Sequence, residues 1–182
     1  PDIVYLGIEV NEHSLYRSAD GGHSWNRIHS FDHAKDLAVH PTNPDIVFLN
    51  ESHYVWRTST DDANGSALAG LLAATNRQFR EGTAFSQVLE SPYGFGPDST
   101  SWSSVEISLS DPDVVYVSMK GSRPYEGAGG NVETTQALYQ SKDSGLSFEQ
   151  IEGTFPVINV LFIHPTDPDI LLIGSHDGFY RS

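Results

Sequence analysis

A five-residue pattern, Pro-Asp followed by three β-branched or large apolar residues, occurs four times and limits the fold more than any other feature. The copies are Pro1-Asp2-Ile3-Val4-Tyr5, Pro44-Asp45-Ile46-Val47-Phe48, Pro112-Asp113-Val114-Val115-Tyr116 and Pro168-Asp169-Ile170-Leu171-Leu172. Three of them follow an apolar segment and a short turn, at residues 37–43, 105–111 and 160–167. A second signature comes after each copy: Tyr16-Arg17-Ser18, Trp56-Arg57-Thr58, Tyr139-Gln140-Ser141 and Tyr180-Arg181-Ser182. Pro suits the residue before a strand because it has no N–H to give a ladder, and the Asp side chain bonds the nearby backbone of a turn. Such recurrence outweighs local propensity in setting the architecture.

The implied unit has four short strands, lettered A to D. A is the apolar segment, B carries Pro-Asp, C ends in the aromatic-Arg-Ser signature and D follows. Short strands with turns at regular spacing, repeating about every 40 residues, read as an all-β propeller with A nearest the axis. The alternative, a β-sandwich, gives no reason for a whole four-strand unit to recur. Residues 1–30 hold B, C and D; 36–90 and 102–152 hold full sets; 157–182 hold A, B and C. The expectation is therefore a β-propeller segment of about four four-stranded blades, the first and last incomplete. Four units fall short of the six to eight or so blades that close related rings, so the segment is expected to belong to a larger propeller.

Two stretches interrupt the period. Residues 61–82 separate C from D in the second unit. Ser66 with Leu68, Leu71, Leu72 and Phe79 allows a capped helix, while 71–75 and 78–80 also read as a hairpin; both remain open. Residues 121–136 separate B from C in the third unit, are rich in Gly, and are long for a connection without a function.

Between C and D stand Ser18-Ala19-Asp20-Gly21-Gly22-His23-Ser24-Trp25 and Ser141-Lys142-Asp143-Ser144-Gly145-Leu146-Ser147-Phe148. Both read Ser-x-Asp-x-Gly-x-Ser-aromatic, the composition of a tight turn with an aromatic anchor. This stretch resembles the Asp-box, or BNR repeat, of sialidases, sortilin-type receptors and xyloglucanase-type glycoside hydrolases. The resemblance implies that Ser18, Asp20, Gly22, Trp25, Ser141, Asp143, Gly145 and Phe148 staple neighbouring strands and take no part in chemistry.

Composition narrows the function classes. The chain has 182 residues with 24 acidic against 10 basic side chains, a net charge of −14 that lacks the basic footprint of a nucleic-acid binder. It has no Cys, so neither disulfides nor thiolate metal sites arise. No apolar run is long enough to span a bilayer as a helix. The expected setting is extracellular or periplasmic, and a start at Pro1 without Met reads as a processed chain or an internal piece of a longer one.

Strand order also assigns faces. A–B and C–D turns share one face, which leaves B–C and D–A loops on the other. That second face collects His13, His53, His176 and Asp177 at B–C tips. It also receives Arg123 and Tyr125 from the 121–136 stretch, and Tyr93, Phe95 and Trp102 from the D–A loop of 90–103. These nine are the candidate ligand-binding residues: aromatics stack on sugar rings or peptides, and His beside an acid can shuttle a proton. His spacing matches no metal-ligand motif and 61–65 lacks the alternating oxygens of a calcium loop, so neither a metal nor a cofactor is expected. A glycoside hydrolase needs two carboxylates across a cleft; Asp36 and Glu51 are the candidates, and no hairpin matches the catalytic Asp of the hydrolases. Arg17, Arg57 and Arg181 occupy repeat positions rather than a substrate-binding triad. The expected function is a non-catalytic propeller that binds protein or glycan or scaffolds an assembly, alongside the remainder of its propeller. The alternative is a xyloglucanase-like or sialidase-like glycoside hydrolase.

Overall fold

The computed structural model describes residues 2–8, 13–31, 34–51, 54–58, 85–90, 102–124 and 132–182. For residues 86, 102, 103, 121–124 and 132–135 it describes the backbone alone. Among the described residues all regular structure is β, in four antiparallel sheets. The first is β1 (Val4–Ile8), β2 (Ser14–Ser18) and β3 (Asn26–Ser30). The second is β4 (Ala34–Val39), β5 (Val47–Glu51), β6 (Tyr54–Thr58) and β7 (Phe85–Glu90). The third is β8 (Trp102–Ile107), β9 (Val115–Pro124), β10 (Val132–Ser141) and β11 (Glu149–Ile151). The fourth is β12 (Val160–His164), β13 (Asp167–Ser175) and β14 (Gly178–Arg181). Every sheet is a meander in chain order, an arrangement consistent with consecutive propeller blades.

The Pro-Asp strands read as continuous apolar runs because both of their faces are covered. Successive side chains on a strand point to opposite sides. On β5, Leu49 meets Leu15, Ile28 and Phe31 of the first sheet, while Phe48 joins Val105, Val115, Val117 and Met119 of the third. Just ahead of β9, Val114 faces the other way with Tyr116, toward Leu161, Leu171 and Ile173 of the fourth sheet. The core is thus three sandwiched layers, one at each junction between neighbouring sheets. The strands β4, β8 and β12 lie side by side and are the innermost of their sheets.

The two outer layers of the stack have no fifth neighbour among the described residues. Trp25 and Tyr180, whose repeat positions suggest core, are 38% and 43% exposed for this reason. Residues 121–124 and 132–136, inside the stretch expected to interrupt the third unit, instead prolong β9 and β10 in paired register from Val132↔Pro124 to Ser141↔Val115. Residues 61–82 lie outside the described set.

The turns are built as their composition suggests. The Ser18 hydroxyl donates to Asp20 Oδ1 (2.7 Å) and accepts from the Gly22 amide (2.8 Å). Asp20 then accepts from the Ser24 amide (2.8 Å) and hydroxyl (2.6 Å). Ser141, Asp143, Gly145 and Ser147 repeat the network at 2.7, 2.8, 2.9 and 2.6 Å. Gly22 and Gly145 sit at φ +93° and +77°, in the left-handed region that a side chain resists. Each turn is tied to the Pro-Asp of its own sheet, Gly21 N to Asp2 O and Ser144 N to Asp113 O (2.8 and 2.9 Å). The imidazole of His40 accepts from the Asn43 amide (3.0 Å), so this His shapes the A–B turn.

Arginines of the C strands cross the junctions. Arg17 Nη2 donates to Asp45 Oδ1 at 3.0 Å, and the buried Arg57 donates from Nε to the Ser144 carbonyl at 2.8 Å. Arg57→Ala strands that carbonyl and removes a charge-assisted bond, and is expected to cost about 2 kcal/mol in urea denaturation. Arg17→Ala should cost less, because Asp45 is half exposed and solvent screens the pair.

Candidate functional site

Among the described residues, the inner strands bring two partly buried carboxyl groups within each other's influence. Asp36 lies on β4 and Glu106 on the neighbouring β8. Asp36 is committed to backbone: Oδ1 accepts from the Leu37 amide (2.9 Å), and Oδ2 accepts from the Val105 amide (3.0 Å) and Ser104 hydroxyl (3.1 Å). It ties the inner edge of one sheet to the next. Glu106 is half buried, and loss of water followed by the charge of Asp36 pushes its carboxyl up to about 7. A carboxyl raised in this way is suited to donating a proton near neutral pH.

The sequence reading named Asp36 and missed Glu106. Its signal was present: the aligned position on the other inner strands holds Ala38 and Phe162, so Glu106 is a charge where the repeat is apolar. A raised carboxyl implies a specific linkage. Above pH 7 the folded state carries a desolvated anion that the unfolded state hydrates, so stability is lost as pH rises from about 4.5 to 7. Glu106→Gln is therefore expected to stabilise the chain at pH 8 by about 1–2 kcal/mol after solvent screening, and by little at pH 4.5. Denaturant midpoints of the two proteins at both values check this.

The remaining expected residues are scattered. Glu51 ends β5, paired in register with Tyr54 and Ala34, one sheet away from Glu106. His13 stands before β2, edge-on to the Phe31 ring at 6.5 Å. His176 and Asp177 form the exposed β13–β14 turn of the fourth sheet. Trp102 opens β8 and Arg123 lies near the end of β9, with only their backbones described. His53, Tyr93, Phe95 and Tyr125 lie outside the described residues. Among the described residues no group of three or more His, Asp or Glu side chains could hold a metal ion.

His29 is a buried residue of β3. Its ring stacks at 4.8 Å on Phe85 and 6.2 Å from Trp56, across the first junction. Burial, then the charge of Arg27, pulls its imidazole down to about 4.

The acidic turns hold ionised carboxylates rather than reactive ones. The Ser24 hydroxyl and amide, with Ser18, draw Asp20 far below the usual carboxylate range. At Asp143 slight burial works upward, but the Ser147 and Ser141 hydroxyls and two amides outweigh it and hold the carboxyl at about 2. Groups so low neither give nor take a proton near neutrality.

No protein-family model matches the chain, and no curated protein matches it. Among solved structures it is similar to a GH74 enzyme of Niastella koreensis, at 13% identity and a TM-score of 0.46. The match covers 99% of this chain and 34% of that one, so the chain spans about a third of the enzyme's length.

Proposed function

We propose that the four sheets are blades of a larger Asp-box β-propeller, exported from the cell, which binds a glycan or a protein without cutting it. The binding face is the one formed by B–C and D–A loops, opposite the Ser-x-Asp turns. One observation carries this reading: the residues able to do chemistry are spent on joining sheet to sheet. Arg17 and Arg57 bond the turns of the following sheet, and Asp36 bonds the neighbouring strand edge. The His and acid tips that remain described lie on different sheets. The fold itself hosts both binders and enzymes, so the site decides.

A second reading, glycoside hydrolysis, is favoured by Glu106 alone. A carboxyl near 7 suits a general acid, and Asp36 is a second carboxyl beside it. Titration calorimetry with xyloglucan and a sialylated glycan, run beside an assay for released sugar, separates the two. Saturable heat without release supports the binder. Release that disappears in Glu106→Gln overturns it in favour of the hydrolase.

A further inference from the structure

Register places Trp102, Lys120 and Gln136 side by side on β8, β9 and β10. Residues directly opposite each other on antiparallel strands share a face of the sheet. Tyr116 and Leu138, an even number of residues from Lys120 and Gln136, pack toward the fourth sheet, so this row faces it too. Gln136 agrees: its Oε1 accepts from the Ile158 amide (3.2 Å), in the segment that leads into β12. Beyond the row β9 and β10 run on for four more pairs, from Gly121↔Thr135 to Pro124↔Val132. That end of the sheet leads into the B–C connection, on the face proposed for binding.

Two nitrogen donors of this row have no use inside the fold. The Gln136 Nε2 amide is buried without a hydrogen-bond partner, and buried donors are ordinarily satisfied. Lys120 is partly buried and makes no side-chain hydrogen bond or ion pair among the described residues. A cation withdrawn from water is ordinarily paired, and this chain has 24 acidic side chains to offer. The carboxylates on its own face of the sheet are distant. Glu106 and Glu149 share the row of Tyr116 and Gln140, two rows away, or about 13 Å along the strand. Arg17 and Arg57, by contrast, are satisfied by Asp45 and the Ser144 carbonyl.

We propose that Lys120 and Gln136, with Trp102 beside them in register, form a subsite for a sugar that carries a carboxylate, a uronic acid. The proposal rests on reading this face as glycan-binding. The ammonium supplies charge and the amide N–H a second, directional bond, a pairing suited to the two oxygens of one carboxylate. Trp102 adds to the row the residue type on which sugar rings pack. The net charge of −14 restricts the ligand further. It repels a polyanion at long range, so the uronate is an isolated residue on an otherwise neutral glycan.

Titration calorimetry of the 182-residue chain tests this with xylotriose bearing one glucuronic acid branch, plain xylotriose and sodium acetate, near neutral pH. The expected result is that the acidic sugar binds about tenfold more tightly than the neutral one, and acetate more weakly than either. Lys120→Met keeps the length of the stem and should erase that preference while leaving the affinity for plain xylotriose unchanged. Gln136→Glu keeps an acceptor for the Ile158 amide and hands Lys120 an internal carboxylate, so it should erase the preference as well. Unchanged far-ultraviolet dichroism shows that each variant folds. Equal affinity of the wild type for the two sugars overturns the uronate subsite and leaves glycan binding standing, as does a preference that survives both variants. Acetate bound as tightly as the acidic sugar overturns recognition of the saccharide. Heat from neither sugar also overturns the subsite, and the glycan reading falls with it only if xyloglucan and the sialylated glycan are silent too.

Discussion

Gly145→Ala is expected to destabilise the chain by about 4 kcal/mol. Two costs coincide there. The residue sits at φ +77°, which charges any β-carbon roughly 1 kcal/mol. The added carbon would also overlap the ring of Phe48, a side chain with no exposure and no room to retreat in the packed second junction. Gly22→Ala provides the internal control. Its φ is +93°, but the nearest atom to an added β-carbon is in the Trp25 ring at 3.6 Å, an ordinary contact. Only the conformational cost should then appear, about 1 kcal/mol. Equal losses at the two glycines in guanidinium denaturation would contradict the account of Phe48 as the residue seated under the next turn.

The second large effect is a dependence on pH centred on His29. Its folded imidazole titrates at about 4 against 6.5 for the unfolded chain, so the unfolded state binds more protons between these values. Stability is complete above pH 6.5 and falls as pH drops toward 4, by about 3 kcal/mol from this residue. Glu106 works in the opposite direction across an overlapping window, because its raised carboxyl favours the folded state as pH falls from about 7 to 4.5. The wild-type curve should therefore be shallow between pH 4.5 and 6.5, with two slopes partly cancelling. His29→Phe keeps an aromatic ring between Trp56 and Phe85 and removes the titration. Its stability should rise relative to wild type as the medium is acidified, and Glu106→Gln should show the reverse trend. Parallel curves for wild type and His29→Phe would mean that the imidazole is not buried as a neutral group.

The sheets were legible because their causes are local. The apolar runs after Pro-Asp, the positive-φ glycines and the Ser-x-Asp network all act within a few residues, and Ser18 to Trp25 shows the last two. What lay hidden depends on neighbours distant in sequence. Asp36 was a candidate catalytic carboxylate, yet its partners are Ser104 and Val105, more than sixty residues away on another sheet. Arg57 could be recognised as a repeat position, but not as the donor to Ser144 across a junction. The burial of His29 was not legible, because nothing near it in sequence reveals the rings of Trp56 and Phe85 beside it. Glu106 was passed over because a single charge in an apolar strand ordinarily marks a solvated face, whereas here that face turns toward Asp36.

The central proposal is that the face formed by the B–C and D–A loops holds a ligand without cleaving it. The most direct measurement incubates the chain with a glycan it binds and follows new reducing ends from pH 5 to 7, in wild type, Glu106→Gln and Asp36→Asn. The account predicts that wild type retains the glycan with no release above the blank, and that Asp36→Asn loses stability through its broken bonds to Val105 and Ser104. Release by the wild type that falls by about a hundredfold or more in Glu106→Gln would contradict it and make Glu106 a general acid.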